Sequence, residues 1–231
     1  MNLTITLIKV IDYLIQLKKN MTFNNFEKHE ILIIGAGGAG LRAAIEAKKN
    51  GSNALVVGKR NKFDSHTVLA AGGINAALGN VDDNDSWQQH FADTYLEGYG
   101  LGDPEIIEIM VNESPARVKE IDKWGANFKK LENGKLDQRY FGAHTYRRTC
   151  YSGDYTGKSI LQALINKADS MNIPIIDTLY VNELIIDKEE CIGAVALDME
   201  TGKQQIIQSK AVILCTGGHT GIWKRSSSRK D

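Results

Sequence analysis

One stretch constrains this chain more than any other. An apolar run from Ile31 to Ile34 leads into Gly35, Ala36, Gly37, Gly38, Ala39 and Gly40, and then into Leu41 to Lys49. The apolar run reads as a buried parallel strand and Leu41 to Lys49 as a helix. Between them the glycines serve three backbone needs. Gly35 lets the chain turn sharply, Gly37 lets backbone N–H groups approach a pyrophosphate, and Gly40 lets the helix pack closely on the strand. The helix N-terminus, carrying partial positive charge, then faces the anion. A bare GxGxxG pattern also occurs as a structural turn, but the strand–turn–helix context makes this a nucleotide-binding loop of the Rossmann type. The loop alone does not say which dinucleotide.

The flanking sequence supplies the rest of an α/β unit. Ala54 to Val57 reads as a second parallel strand, completing βαβ with the first. Asp103 and Pro104 are a helix start, and Ser114 and Pro115 repeat that signal; Gly125 ends the apolar periodicity. Lys158 to Ser170 reads as a helix and Ile173 to Ile176 as a short strand. Leu184 to Asp187, Ile192 to Leu197 and Gln204 to Ile207, separated by polar turns, predict a three-stranded meander. Ala211 to Cys215 reads as a further buried strand opening into Thr216, Gly217 and Gly218.

Composition excludes several classes of function. With 28 Lys+Arg against 28 Asp+Glu, net charge offers no basis for a nucleic-acid partner or an anionic membrane surface. The cysteines, Cys150, Cys191 and Cys215, are far apart and form no CxxC pair, so no disulfide framework, zinc site or iron–sulfur cluster is expected within the chain. A reducing, cytoplasmic setting fits that pattern. His90 and Asp93 are spaced to share a helical face, but without a further Cys or His nearby they read as structural, not as metal ligands. Residues 1–24 read as an N-terminal extension before a domain spanning 25–231, with Met21 an alternative start. The apolar stretch there is interrupted by Lys9 and Asp12 and is too short and charged for a membrane span. A partner-binding or membrane-surface helix is the alternative for this segment.

The residues after the second strand narrow the choice of nucleotide. A NAD-binding unit places Asp or Glu there for the ribose; here Val57 is followed by Gly58, Lys59 and Arg60. Those bases leave a 2′-phosphate, and so NADP, open. Against it, a βαβ unit, a late meander and a final strand running into Thr216 and Gly217 are similar in layout to FAD-binding domains of the glutathione-reductase type. Ser65, His66 and Thr67, followed by Ala71, Gly72, Gly73 and Asn75, then closely resemble the flavin-attachment segment of succinate dehydrogenase and fumarate reductase flavoprotein subunits. The resemblance continues through Trp87, His90, Asp93 and Gly98, through Gln138, Arg139, Phe141 and Gly142, and through Arg148, Asp154, Thr156 and Gly157 to Thr216 and Gly217. It covers about residues 30 to 231.

The resemblance implies a role for each matched residue. His66 is the imidazole expected to carry FAD covalently, a linkage that in the family raises the flavin potential enough for succinate oxidation. Gly72 and Gly73 bring backbone N–H groups close to the flavin, where they stabilise its anionic reduced form. Ala71 departs from the Gln or Glu common in the family. Asp154 matches an FAD-side segment, though capping of the following helix explains it equally well. Val181 falls where the family's backbone reaches the adenine, and Thr216 and Gly217 where it meets the phosphates or ribitol. Phe128 matches an aromatic residue beside the dicarboxylate, although a lone Phe is more often core. No residue matches the family's catalytic arginine; Arg139 and Arg148 fall in the flavin-side segment. Substrate-handling groups are expected beyond Asp231, so the domain is expected to be incomplete at its C-terminus and inactive alone.

The resemblance further implies succinate–fumarate interconversion by hydride transfer to or from FAD. It implies electrons leaving through an iron–sulfur protein subunit, with membrane anchor subunits reached indirectly on the inner face of the cell membrane. L-Aspartate oxidase, with non-covalent FAD and no histidine at position 66, is the enzyme alternative, and adenylylsulfate reductase a more distant one. A non-catalytic nucleotide-binding module is the alternative of another class.

Overall fold

In a computed structural model of the chain, residues 29–218 and 220–225 are described, and they divide into two compact units. The segment before His29, expected to be an extension, lies outside the described residues. Of the described residues, the first unit combines 29–62 with 171–218. The second contains Phe63–Ser170.

In the first unit, β1 (His29–Ile34), β2 (Ala54–Val57), β5 (Ile175–Ile176), β6 (Leu179–Asp187), β7 (Glu190–Asp198) and β8 (Gln204–Leu214) form a six-stranded sheet of order β5-β2-β1-β8-β7-β6. β1 pairs in parallel with both β2 and β8, and β2 with β5. Helix α1 (Gly38–Lys49) makes the β1-to-β2 crossover. Ile31–Ile34 of β1 and all of β2 are apolar, as expected for strands in a covered parallel sheet, and every residue of β2 is buried. Leu32, Ile34, Leu55, Val57, Leu179, Ala194, Ala196 and Ile207 form one core cluster there.

One sequence expectation changes in this unit. Gln204–Leu214 is one strand rather than two. Its first half pairs antiparallel with β7, and its second half, from Ser209, pairs parallel with β1. Gln208, Ser209 and Lys210 carry no Gly or Pro to break the strand, so this polar interruption only mimics a turn. The β6–β7 hairpin turns through Lys188 and Glu189, both at positive φ (47° and 71°). This is the conformation usually supplied by Asn-Gly.

The second unit contains β3 (Ile74–Asn75) paired antiparallel with β4 (Thr149–Cys150), and helices α2 (Trp87–Glu97), α3 (Pro104–Lys123) and α4 (Thr156–Ser170). Its core gathers Ala76, Val118, Ile121, Ala126, Phe128, Leu136, Cys150 and Ala163. Asp103 caps α3 as expected, accepting from the N–H of Glu105 at 2.9 Å. The second start signal does not start a helix: α3 is continuous for 20 residues with Pro115 inside it. Proline removes the N–H that would bond the carbonyl four residues back, that of Val111. Ser114 Oγ donates to that carbonyl instead, at 3.1 Å.

Beside this core lies a cluster of buried charge. Arg148 is 0% exposed, and its Nη2 lies 2.9 Å from both Asp85 Oδ1 and Asp93 Oδ2. His90, on α2, is buried in the same cluster. Burial, then the neighbouring Arg148 charge, pushes His90 down to about 4. Burial likewise raises the Asp85 carboxyl, against the pull of Arg148.

Removing the Ser114 hydroxyl leaves the Val111 carbonyl without its substitute donor. Ser114→Ala is therefore expected to cost about 1 kcal/mol in urea unfolding. In a Pro115→Ala background the same change should cost almost nothing, because alanine at that position restores the N–H; an equal cost in both backgrounds refutes the compensation. For His90, the folded value lies below the unfolded one, near 6.5, so the unfolded chain binds more protons between them. Stability is thus fully present above about pH 6.5 and falls by up to roughly 3 kcal/mol as pH drops toward 4. His90→Gln should flatten that slope in denaturation midpoints measured across the window, while the raised Asp85 carboxyl, of opposite sign, remains in both proteins.

Candidate cofactor-binding site

In the first unit the carboxyl ends of three parallel strands meet one loop. Ile34 is in register with both Val57 and Leu214, so the segments after these strands, Gly35–Gly40, Gly58–Lys59 and Cys215–Gly217, share one edge of the sheet. Ligands of open α/β sheets bind at this edge. Gly35 N–H donates to the Val57 carbonyl at 2.8 Å and Cys215 N–H to that of Ile34 at 2.8 Å.

Contact around the loop explains its glycines. Gly35 sits at φ 118°, and a Cβ there would fall on the Cys215 carbonyl. A Cβ on Gly40 would fall on the Gly35 carbonyl, with Ile33 Cγ2 next at 3.3 Å. Gly58 faces Ala36, whose Cβ lies 3.0 Å from where its own would be. The expected close packing of helix on strand at Gly40 is thus present. Gly37 occupies the N-cap of α1 with no side-chain cap, and the first turn carries no acidic residue. Leu41 N–H makes a helical bond to Gly37 at 3.0 Å, and the turn before it presents the positive end of the helix dipole. That arrangement suits a pyrophosphate.

Lys59, Thr216 and Gly217 lie at the same edge; Lys59 and Gly217 are exposed, and Gly217 has φ 79°. Val181 lies on β6 opposite Ala196, at a register shift that occurs before Glu183. The shift breaks regular pairing beside the very backbone expected to meet adenine.

The second unit holds the residues expected on the flavin side. His66 opens a short 3-10 turn, His66–Leu69, preceded by Ser65 in extended conformation. His66 is exposed, whereas Ser65 Oγ is buried and has no hydrogen-bond partner among the described residues. The turn is braced by α4: Gly157 N–H donates to the Ala70 carbonyl at 2.6 Å. A Cβ on Gly157 would collide with the Thr67 and Ala70 carbonyls. Thr156, also buried, accepts from Ser152 N–H at 3.0 Å through Oγ1. The Thr156-Gly157 pair therefore fixes the histidine segment, and Asp154 stays exposed.

Gly72 and Gly73 are pressed from two sides. A Cβ on Gly72 would lie 2.7 Å from the Phe141 ring, and one on Gly73, at φ 133°, would strike Thr149 and the Cys150 carbonyl. Ala71 is exposed. Phe128, expected beside the dicarboxylate, packs in the core of this unit, 4% exposed among Val118, Ile121 and Leu136. Cys150 is buried as well, and burial pushes its thiol up to about 12, which leaves it without nucleophilic thiolate.

Residues given no individual role by their sequence prove central to this segment. Gln138 donates to the Ala76 carbonyl at 2.8 Å and accepts from Asn80 N–H at 3.1 Å. Arg139 donates to the Gly72 carbonyl at 2.7 Å. Both lie within a stretch that carries the resemblance; only the folded chain shows what their side chains reach. Within the first unit, the uncapped helix terminus at the shared strand edge fits the pyrophosphate of a dinucleotide. Among the described residues no cluster of His, Cys, Asp and Glu suits a metal ion.

Comparison with known proteins agrees with that fit. A family described as FAD binding domain matches residues 30–229. A fumarate reductase (CoM/CoB) polypeptide of Methanothermobacter marburgensis is 38% identical over 200 residues, spanning 86% of this chain and 37% of that protein. The succinate dehydrogenase flavoprotein subunit of Rickettsia conorii is 36% identical over 200 residues, 83% of this chain and 33% of its own length. Among solved structures, the Sdh1 of Mycobacterium smegmatis in complex with UQ1 superposes with a TM-score of 0.85 at 38% identity. That match covers 88% of this chain and 36% of the other. The chain thus spans about a third of the length of these relatives. FAD, rather than NADP held by Lys59 and Arg60, is accordingly the nucleotide. The chain belongs to the FAD-binding domain family, and its relatives include flavoprotein subunits of succinate dehydrogenase and fumarate reductase.

Proposed function

We propose that this chain is the FAD-holding part of a flavoprotein oxidoreductase that interconverts succinate and fumarate. The observation that carries the reading is the exposed His66 on a turn braced by Gly157, next to the Gly72–Gly73 cradle. An exposed imidazole held there is free to become the covalent attachment point. Bound FAD supplies hydride chemistry; the residues of this chain supply binding, tethering and tuning. The α1 N-terminus and Gly37 receive the pyrophosphate, and Thr216 and Gly217 the neighbouring phosphate or ribitol oxygens. The Val181 backbone receives the adenine. Gly72 and Gly73 present backbone to the flavin ring, and Ser65 Oγ offers a buried hydroxyl beside the attachment point.

Proton delivery to substrate carbon and the binding of both carboxylates are assigned to no residue of this chain. Partner proteins follow from the same reading: an iron–sulfur protein as electron acceptor, and a membrane site reached through further subunits. No described helix is long and apolar enough to cross a membrane.

The test uses the full-length protein. Acid precipitation is expected to leave flavin fluorescence on the polypeptide, and His66→Ala should abolish that signal while flavin absorbance survives in the native protein. Succinate oxidation in His66→Ala is expected to fall about tenfold or more, with fumarate reduction less affected, since loss of the linkage lowers the flavin potential. Flavin that is wholly released by acid from the unmodified protein overturns the covalent reading and favours a non-covalent enzyme of the aspartate oxidase kind.

A further inference from the structure

Arg139 is held from several directions within the second unit. Its Nη2 donates to the Gly72 carbonyl at 2.7 Å and reaches the Gly153 carbonyl at 3.4 Å. Its guanidinium carbon lies 4.3 Å from the centroid of the Tyr151 ring, and Tyr151 in turn donates its hydroxyl to Asp137 at 2.7 Å. The Arg139 backbone is fixed too: its N–H donates to Thr149 at 3.0 Å and its carbonyl accepts from Thr149 at 3.2 Å. Thr149 is the residue opposite Asn75 on β3, just past the glycine pair. Arg139 Nε, by contrast, is buried with no hydrogen-bond partner among the described residues. An orphaned N–H on a charged group costs folding free energy, so stability alone does not account for an arginine at this place.

The Gly72 contact has a directional consequence. The Gly72 carbonyl and the Gly73 N–H belong to one trans peptide unit and point in opposite directions. Whatever fixes one fixes the other. The orientation requires φ 133° at Gly73, a value that side-chain-bearing residues rarely adopt, and Phe141 closes over Gly72 on one side. With its carbonyl engaged by a cation, this peptide unit cannot flip without losing a charge-assisted hydrogen bond.

We propose that Arg139 is a positioning residue for the flavin: by gripping the Gly72 carbonyl it aims the Gly73 N–H at the ring and so sets the reduction potential. The proposal rests on the reading of Gly72 and Gly73 as flavin-side backbone. A fixed N–H donor favours the anionic reduced ring over the neutral oxidised one, so its aim raises the potential. Lysine cannot reproduce the effect in full. Its ammonium keeps a charged donor but has no planar face to stack on Tyr151 and so is not held in place as the guanidinium is.

The experiment compares the full-length flavin-bearing protein with Arg139→Ala and Arg139→Lys. Flavin content is read from the visible spectrum, the midpoint potential from reductive titration against reference dyes, and stability from the melting temperature. Arg139→Ala is expected to keep its flavin and lose about tenfold in preference for the reduced form, a negative shift of about 30 mV for a two-electron couple. Arg139→Lys should fall between the two. A wild-type potential in a flavin-bearing Arg139→Ala protein overturns the proposal, even if its melting temperature drops, since that outcome is a structural role only. If Arg139→Ala does not retain flavin, the lysine variant decides: an unshifted potential overturns the proposal and a lowered one supports it. Absence of flavin from the unmodified protein overturns the flavin reading itself, which separates the two failures.

Discussion

The first unit depends on a backbone-to-backbone contact that tolerates no side chain. The loop after β1 runs so close to the carbonyl of Cys215 and to the first turn of α1 that Cβ atoms at Gly35 and Gly40 would overlap carbonyl oxygens. That proximity lets β1, β2 and β8 end at the same edge and leaves the α1 terminus bare of side-chain caps. A larger residue at either glycine would push the helix from the sheet and move the anion site with it. Helix dipole, strand ends and loop converge on one edge because they are packed to backbone contact.

Contact of the same kind governs the second unit, with charge added. Gly157 brings α4 against the His66 turn, and Gly73 brings the glycine pair against β4. Behind β4 stands Arg148, whose carbonyl accepts from Ala76 N–H at 3.0 Å while its side chain holds two carboxylates. Removing one partner from such a buried set leaves an uncompensated charge and costs about 3–5 kcal/mol. The β3–β4 ladder is thus tied to α2 by ions and to the core by apolar side chains. Arg139 grips the glycine pair instead. Two arginines that look alike in sequence divide into one wholly buried among carboxylates and one that holds the Gly72 carbonyl.

Much of the fold was legible along the chain because its signals are local. Glycine spacing after an apolar run, Asp103 before Pro104, and alternating strands with polar turns each follow from backbone geometry within a few residues. The errors also have local causes. Ser114-Pro115 mimics a helix start, yet a serine hydroxyl can stand in for the missing N–H, and helix packing then carries the proline. Gln208 to Lys210 looks like a break, but one strand can change partners midway without turning.

By itself the sequence determined the βαβ unit, the position of the nucleotide loop and, through a family pattern, FAD as ligand with His66 as the attachment residue to test. These rest on residue type and short spacing, which a linear chain carries in full. Only tertiary structure decided which polar groups meet. Arg148 joins Asp85 from 63 positions away, and Arg139 finds a carbonyl 67 positions back. Such pairings depend on how helices and ladders pack. A side chain's partner across that distance is set by the fold as a whole, not by its neighbours in sequence.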